Sequence, residues 1–441
     1  MTEQSKATRI RLGDFHTAPM RAFHVTWASF LMCFVGWFAA APLMPVIRRD
    51  LKLSPEQVGN IVIASVGATI LARLLVGRLC DRFGPRLCYA WLLALGALPV
   101  MGLGLCSSYE SVLLCRLAIG AVGASFVITQ YHTSAMFAAN CVGTANAMAA
   151  GWGNMGGGIA QMVMPLLMAA FLFLGVGESA AWRLALVIPG LLMLVGSVAY
   201  LRLTQDTPAG NFAQLQRAGS TAVKKGRPEW IAVIKDLRVW VLFLAYALCF
   251  GVELTIHNVA ALYFSDRFSL SLQQAGLAAG LFGFMAIFAR ALGGYCGDRA
   301  GRHSGLRGRT NFLSAILGAQ GLALLLFSRT GNLAAAIGML VVFALFVHMA
   351  CGATYAVLPF VNRRALGIVI GIVGAGGNVG AVAAGFLFRG ALPFEQSFLI
   401  LGLAVLAGAA VCMLAIRFSE AEELGHREAI LQSGAITVPA S

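Results

Sequence analysis

The chain alternates between long apolar runs and short polar segments over most of its length. Several runs reach about 20 residues, the length that a helix needs to cross roughly 30 Å of hydrocarbon. A membrane β-barrel would instead show short alternating segments, which a run such as 333–360 does not resemble. The pattern predicts an all-α membrane protein with twelve spans, at 22–46, 57–80, 87–107, 110–137, 142–174, 181–203, 238–264, 272–297, 309–329, 332–360, 365–390 and 395–417.

Composition and charge support a multi-pass protein in a lipid bilayer. Hydrophobic residues make up 59% and charged residues 11%, against about 25% charged in soluble proteins. The net charge of +14 arises from basic residues at span ends, so we expect no nucleic-acid partner. If the N-terminus is cytoplasmic, the inner segments hold 22 Lys and Arg and the outer segments 7. This bias predicts cytoplasmic termini and a cell membrane location, such as the bacterial inner membrane.

A polar stretch at 204–236 divides the spans into two groups of six, and a repeat links the groups. The sequence A-R-L-L-V-G-R-L-C-D-R-F-G-P-R from Ala72 is echoed by A-R-A-L-G-G-Y-C-G-D-R-A-G-R-H from Ala289. The repeat predicts two pseudo-symmetric six-helix bundles with a substrate site between them near the middle of the membrane. We place a cytoplasmic segment at 1–21, the bundles at 22–203 and 237–418, a cytoplasmic linker at 204–236, and a cytoplasmic tail at 419–441.

Four motifs resemble those of known transporters. The loop G-R-L-C-D-R-F-G-P-R and the stretch R-L-A-I-G-A-V-G-A from Arg116 resemble signatures of the major facilitator superfamily. The strings G-W-G-N-M-G-G-G from Gly151 and G-A-G-G-N-V-G from Gly374 resemble the paired signatures of the nitrate/nitrite porter family. The resemblance covers 22–417. It implies the major facilitator fold and a secondary transporter of a small inorganic anion, nitrate or nitrite.

Arg73 and Arg290 occupy matching places in the two halves, each eight residues before a loop aspartate. Eight residues are about 12 Å of helix, too deep for the side chain to reach the surface easily. A buried charge in a span normally lines a cavity or has a partner. If both arginines were structural they would need carboxylates, but Glu253 is the only acid well inside a predicted span. Arginine's planar donors suit a planar oxyanion, and the resemblance implies that this pair clamps the anion.

Nitrate is flat and weakly hydrated, so we expect aromatic faces beside the arginines. Tyr246 and Phe250 lie four residues apart on one face of the seventh span, and Phe126 lies midway along the fourth. The family's pocket resembles this set, with Trp37 on the first span a looser match. Ordinary packing is the alternative for each of these side chains.

Glycine-rich strings lie on the fifth and eleventh spans. Glycines let helices approach closely and slide, so we expect static packing, a rocking contact between the halves, or both. Asn154 and Asn378 within the strings are candidates to donate to substrate or to a neighbouring helix. The candidate packing glycines are Gly151, Gly153, Gly156, Gly157, Gly374, Gly376, Gly377 and Gly380.

The repeated loops carry charges at the predicted inner ends of the spans. Asp81 and Arg82 in the first half match Asp298 and Arg299 in the second. A carboxylate here is able to accept from an arginine or cap a helix, and the superfamily resemblance implies that these loops lock the inner gate. A solvated cluster that only sets topology is the alternative.

Coupling to an ion gradient is expected on energetic grounds. Moving one anion against an inside-negative potential costs about 2.3 kcal/mol per 100 mV, so either two or more protons accompany nitrate or nitrite leaves in exchange. Glu253 and His257, four residues apart on the seventh span, are candidate proton carriers, with structural roles as the alternative. His132 on the fourth span and His348 on the tenth are further candidates with the same alternative. The strings F-H-V-T-W-A-S-F from Phe23 and G-V-E-L from Gly251 resemble the proton-coupled branch of the family, which favours symport.

Two other functions stay open: a nitrate/nitrite exchanger without proton coupling, and a nitrate sensor built on a transporter scaffold. An enzyme is disfavoured, because no His, Cys, Asp or Glu constellation has catalytic or metal-ligand spacing. We expect no metal and no cofactor. A monomer is expected to suffice, because one chain holds both halves of the pathway.

Overall fold

The computed structural model describes residues 6–137, 142–217, 230–362, 366–390 and 392–424. These residues form sixteen α-helices, with two isolated β-bridges and no named strand. The helices are α1 (Ala18–Phe38), α2 (Met44–Asp50), α3 (Pro55–Phe83), α4 (Pro85–Gly102), α5 (Tyr109–Gly120), α6 (Ser125–Met136), α7 (Val142–Phe173), α8 (Glu178–Leu203), α9 (Phe212–Arg217), α10 (Trp230–Lys235), α11 (Leu237–Phe268), α12 (Leu272–Phe284), α13 (Ala286–Phe327), α14 (Leu333–Val357), α15 (Leu366–Gly385) and α16 (Phe394–Ala415).

The twelve-span, all-α prediction is confirmed. Eleven described helical segments are long and apolar enough to cross a membrane. The remaining predicted span corresponds to α1, a 21-residue helix with Arg21 and His24 near its start. The exact bounds of the predicted bundles, linker and tail stay predictions, and 1–5, 218–229 and 425–441 lie outside the described residues.

Three predicted spans are not single regular helices. The first span is wrong as one continuous helix, because α1 ends at Phe38 and α2 begins only at Met44. Pro42 and Pro45 in this interval have no backbone N–H to extend the helix. The fourth span contains a 3₁₀ turn at Ala121–Ala124, and the eighth is divided between α12 and α13.

A turn glycine follows the repeated loop in each half. Gly84 separates α3 from α4 with φ of 84°. Gly305, with φ of 65°, lies at a sharp turn inside α13 that separates the eighth span from the ninth. Glycine adopts these positive φ values without the steric cost of a Cβ. The two turns lie at the same end of the protein, which we call the linker end.

The helix that follows each turn is capped by an acid from the end of its own half. Asp206 accepts from the backbone N–H of Arg86 at 2.9 Å. Glu423 accepts from the backbone N–H groups of Leu306 and Arg307, both at 2.8 Å. The two acids are 217 residues apart, the same offset as the repeated loops. The internal repeat therefore includes contacts that fix the ends of the third and ninth spans.

On one side, the glycines of α7 and α15 contact backbone within their own half. A Cβ at Gly156 would fall on the Leu31 carbonyl oxygen of α1. On α15, a Cβ at Gly376 would fall on the Phe243 carbonyl oxygen of α11, and one at Gly380 on that of Ala247. A Cβ at Gly153 or Gly377 would meet an aromatic ring, that of Phe30 or Phe250 respectively. These glycines hold α7 against α1 and α15 against α11.

The other side of α7 faces the second half of the chain. A Cβ at Gly157 would lie 2.7 Å from the His257 ring of α11, and one at Gly158 2.8 Å from the Gly280 carbonyl oxygen of α12. Gly151 faces the Ala286 carbonyl oxygen, at 3.1 Å from an added Cβ. The interface between the halves therefore has small residues at its centre, which suits a sliding contact. The rocking role itself stays a prediction.

Two ion pairs join the halves at the end opposite the linker. Arg48 of α2 binds Asp266 of α11 with an N–O distance of 2.9 Å. Arg389, just after α15, binds Glu56 in the first turn of α3 at 2.6 Å. These contacts hold the two halves together at this end.

We expect Gly376→Ala to destabilise the protein, because the new methyl group would collide with the Phe243 backbone. Overpacking of this kind costs about 1–3 kcal/mol. Gly371→Ala on the same helix is the matched control, because nothing lies within 4 Å of a Cβ there. Thermal unfolding of the purified protein should show a lower midpoint for Gly376→Ala only. Equal midpoints for the two variants would mean that α15 does not pack on α11 at this place.

Candidate functional site

Three arginines lie buried in the spans with little acid near them. Arg73 of α3 is 6% exposed, while Arg116 of α5 and Arg290 of α13 are each 1% exposed. Among the described membrane-spanning residues, Glu253 of α11 is the one buried carboxylate. A charge removed from water is stable only with compensating partners, so the contacts of each arginine decide what it does.

Arg73 lies between aromatic rings and has no carboxylate partner in the described structure. Its guanidinium carbon is 5.3 Å from the centroid of Phe126 and 5.7 Å from that of Phe250. Nη1 donates to the Gly374 carbonyl at 2.7 Å, and Nε reaches the Gly123 carbonyl at 3.5 Å. Nη2 has no hydrogen-bond partner among the described residues. One donor and a whole positive charge are therefore available to a ligand.

Arg290 is held more completely. Its Nη2 donates to Glu253 Oε2 at 2.6 Å in an ion pair shielded from solvent. With the Asn154 amide oriented to satisfy both groups, its oxygen accepts from Nη1 at 2.7 Å and from Nη2 at 2.8 Å. Because Asn154 is on α7 and Arg290 on α13, this contact crosses between the halves. The single acid that the sequence places well inside a span therefore pairs with Arg290 and leaves none for Arg73 among the described residues.

The two arginines share one aromatic ring. Each guanidinium carbon lies 5.7 Å from the Phe250 centroid, so the two carbons are at most twice that distance apart. Tyr246 stacks on Phe250 with centroids 5.0 Å apart and planes 14° apart. Aromatic faces stabilise cations electrostatically, by about 0.5–2 kcal/mol each. The structure therefore brings Arg73, Arg290, Tyr246, Phe250 and Phe126 together.

Asn378 of α15 has a buried amide without hydrogen-bond partners among the described residues. It is fully buried on α15, and neither Oδ1 nor Nδ2 has a hydrogen-bond partner among the described residues. It lies four residues, one helical turn, after Gly374, whose carbonyl accepts from Arg73. A buried amide without partners costs free energy unless a ligand satisfies it.

Trp37 lies with a different arginine. Its indole N–H donates to the Ser65 carbonyl at 2.5 Å, and its own carbonyl accepts from Arg116 Nη1 at 2.9 Å. Arg116 Nη2 donates to the Asn258 Oδ1 at 2.9 Å, a contact between the halves. No described contact brings Trp37 to Arg73 or Arg290, so the geometry gives its predicted pocket role no support.

His257 does not pair with Glu253 as its spacing suggested. Both ring nitrogens lack hydrogen-bond partners among the described residues, and the ring packs between Phe38 and Phe282. Glu253 Oε2 instead lies 3.4 Å from His348 Nδ1 and accepts from Cys351 Sγ at 3.5 Å. Both partners come from α14.

Sequence reasoning named His348 of α14 as a candidate proton carrier but missed Cys351 and Tyr355 on the same helix. Tyr355 of this helix donates to the Tyr246 hydroxyl at 2.7 Å and lies 6.1 Å from Phe126 between ring centroids. His348, Cys351 and Tyr355 follow each other at intervals of three and four residues, so they occupy one helix face. Such a row of polar side chains on one face of an apolar span is the sequence feature that could have predicted a role for this helix in the site.

The gate-loop residues are described only in part. Arg82 is exposed, with its guanidinium carbon 5.0 Å from the Phe83 centroid, and Arg299 is exposed as well. The side chains of Asp81 and Asp298 lie outside the described residues. The gate role of all four stays a prediction.

Comparison with known families agrees with the fold and the motifs. Residues 26–363 match the model of the Major Facilitator Superfamily. The chain is 42% identical to the high affinity nitrate transporter 2.5 of Arabidopsis thaliana, over 87% of this chain and 77% of that protein. It is 38% identical to nitrate transporter 2.2 of Chlamydomonas reinhardtii, over 86% and 75% respectively. A nitrate/nitrite transporter of Nostoc punctiforme is 26% identical, over 89% and 91%.

Solved structures share the fold. A bacterial homologue of the human lysosomal transporter Spinster, inward-facing and occupied, superposes with a TM-score of 0.71 over 92% of this chain and 98% of that chain. The nucleoside transporter NupG superposes with a TM-score of 0.64 over 91% and 100%. Sequence identity is 16% in both cases, so these likenesses concern the fold alone.

Removing the Glu253 carboxylate should destabilise the protein strongly. Glu253→Ala leaves the Arg290 charge buried without an acid, a change that typically costs about 3–5 kcal/mol. Glu178→Ala is the matched control, because it breaks the solvent-exposed Arg49–Glu178 pair, worth about 0–1 kcal/mol. Thermal unfolding in detergent should show a much larger fall in the midpoint for Glu253→Ala than for Glu178→Ala. A similarly small loss for both would contradict a buried, charge-compensating role for Glu253.

Proposed function

We propose that this chain, which belongs to the nitrate/nitrite porter family of the major facilitator superfamily, imports nitrate by alternating access. The family consists of transporters and not of enzymes. The observation that carries the proposal is the buried Arg73 guanidinium, which has no acid partner in the described structure and keeps one donor without a partner.

The chemistry around Arg73 matches a small planar anion. A guanidinium presents its N–H donors in one plane, the geometry that a trigonal oxyanion requires. The Phe126 and Phe250 rings on either side offer flat faces to a weakly hydrated anion. The Asn378 amide, one turn along α15 from the Gly374 carbonyl that binds Arg73, is proposed to supply another donor. Nitrite shares this chemistry and is a further candidate substrate.

The charge balance favours a monovalent substrate. Arg73 and Arg290 contribute two positive charges and Glu253 one negative charge, which leaves one positive charge for the ligand to balance. Arg290 is held by Glu253 and Asn154, so it supplies positive potential from a fixed position. Arg73, held through Nη1 alone at short distance, is the arginine that we expect to bind the anion most directly.

Alternating access is supported by the contacts between the halves. The ion pairs Arg48–Asp266 and Arg389–Glu56 hold the end opposite the linker closed. Opening that end requires both pairs to break while α7 slides over its neighbours at Gly157 and Gly158. The loops with Asp81, Arg82, Asp298 and Arg299 are proposed to close the linker end in turn.

The proposed function includes a location in the cell, an oligomeric state and a coupling ion. The chain is a multi-pass membrane protein, and the bias of basic residues supports a cytoplasmic linker end. We propose a cell membrane location, such as the bacterial inner membrane, and function as a monomer. Protons are the proposed coupling ion, with nitrate/nitrite exchange as the alternative mechanism.

Arg73→Lys and Arg290→Lys should each reduce nitrate flux at least tenfold, since lysine keeps the charge but loses the planar donors, a difference worth about 1.4 kcal/mol or more. Uptake of isotopically labelled nitrate into proteoliposomes measures the effect. Arg267→Lys is the control, because Arg267 pairs with Glu395 at the surface. Near-normal flux in both site variants would mean that these arginines have structural roles and do not bind nitrate. Wild-type protein that binds nitrate without any flux would indicate the sensor.

Proton symport and nitrate/nitrite exchange can be distinguished by what drives nitrate entry. Symport predicts that an acid-outside pH gradient drives nitrate accumulation in proteoliposomes and that a protonophore abolishes it. Exchange predicts entry that is indifferent to the gradient and depends on nitrite inside. Undiminished nitrate entry after collapse of the gradient would rule out symport.

A further inference from the structure

We propose that His348 and Glu253 together form the site that takes up and releases a proton during transport. This inference rests on the proposed function and assigns the coupling step to a pair of residues. It replaces the pairing of Glu253 with His257 that sequence spacing suggested.

The tautomer of His348 is fixed by the backbone. Its Nε2 lies 3.0 Å from the Phe282 carbonyl oxygen of α12. A carbonyl oxygen only accepts hydrogen bonds, so Nε2 carries the proton in this contact. In a neutral imidazole, Nδ1 is then a bare acceptor.

That acceptor faces a carboxylate. His348 Nδ1 lies 3.4 Å from Glu253 Oε2, and both side chains are fully buried. Two acceptors at this distance repel each other unless a proton lies between them. The contact is favourable with His348 as an imidazolium beside a carboxylate, or with a protonated Glu253 donating to Nδ1. Both arrangements contain the same single additional proton.

The charges around the pair make this proton sensitive to the substrate. Arg290 binds Glu253 Oε2, the oxygen that also faces His348, so its positive charge disfavours a further positive charge on the pair. The other titratable groups near Glu253 are the His257 ring and the Cys351 thiol. The hydroxyl groups of Tyr246 and Tyr355 are further titratable groups near Arg290.

Anion binding and proton binding should therefore favour each other. An anion beside Arg73 and Arg290 offsets their positive charge, so the additional proton on the His348–Glu253 pair becomes less costly. Protonation in turn weakens the hold of Glu253 on Arg290 and leaves that guanidinium more available to the anion. The coupling is reciprocal, because linkage acts equally in both directions.

The proton enters from one side of the membrane and leaves on the other. The proton binds at Nδ1 or Oε2 from the outer solution together with the anion. It dissociates to the cytoplasm when the anion has left and Arg290 again binds a charged Glu253. One proton moved with one nitrate transfers no net charge, so this site supplies one of the two or more protons that symport is expected to need.

His348→Gln tests the assignment. A glutamine amide keeps a donor for the Phe282 carbonyl but cannot take up a proton. We expect it to lose pH-driven nitrate accumulation, which a single coupled proton supports at about tenfold per pH unit. Nitrate/nitrate exchange at equal pH should continue, because Arg73 and Arg290 are intact. Unchanged pH-driven accumulation in this variant would overturn the inference.

His132→Gln is the matched control. His132 is another buried histidine, whose Nε2 lies 2.8 Å from the Gln205 carbonyl, but it belongs to α6 of the first half and has no contact with the site. This variant should keep both accumulation and exchange. Equal loss in the two variants would assign the effect to damaged packing and would overturn the inference.

A measurement on the wild-type protein needs no variant. Adding nitrate to weakly buffered, detergent-solubilised protein, tested at several values across about pH 5–8, should make it take up protons from solution. Nitrate binding without any proton uptake over this range would overturn the inference and leave the proposed function standing. A wild-type protein that neither binds nor transports nitrate would overturn the proposed function itself.

Discussion

A surplus of buried positive charge organises the centre of this protein. Arg73, Arg116 and Arg290 are all removed from solvent, and Glu253 is the single buried carboxylate among the described membrane-spanning residues. Arg290 is paired with Glu253 and Asn154, whereas Arg116 donates to the neutral oxygens of Trp37 and Asn258. Arg73 keeps an unbalanced charge between two aromatic rings. A bound monovalent anion would remove that imbalance.

The same contacts connect binding to movement. Asn154 and Asn258 each bind an arginine of the other half, so the charges at the centre also tie the halves together. The ion pairs Arg48–Asp266 and Arg389–Glu56 hold the end opposite the linker. Because an anion would change the charge felt by Arg290, we expect its arrival and departure to alter the contact that Arg290 makes across the interface. This gives a physical route from substrate binding to rearrangement of the halves.

The fold and the paired arginines were predictable from the sequence. Long hydrophobic runs indicate membrane spans, and the internal repeat indicates two pseudo-symmetric halves. The sequence did not reveal the partner of Glu253. Local spacing suggested His257, one turn away on the same helix, but that ring packs against Gly157 on the neighbouring helix. The actual neighbour, His348, lies on α14, and a contact between distant helices leaves no trace in local spacing. The break at Pro42 and Pro45 could have been read from proline chemistry, whereas the turn at Gly305 depends on its cap by Glu423.

The most direct test of this account is an experimental structure of the protein with nitrate bound. The account predicts a nitrate oxygen within hydrogen-bonding distance of Arg73 Nη2, with the anion beside the rings of Phe126 and Phe250. Nitrate bound at Arg116 instead, or an Arg73 guanidinium fully satisfied by a protein carboxylate, would contradict it.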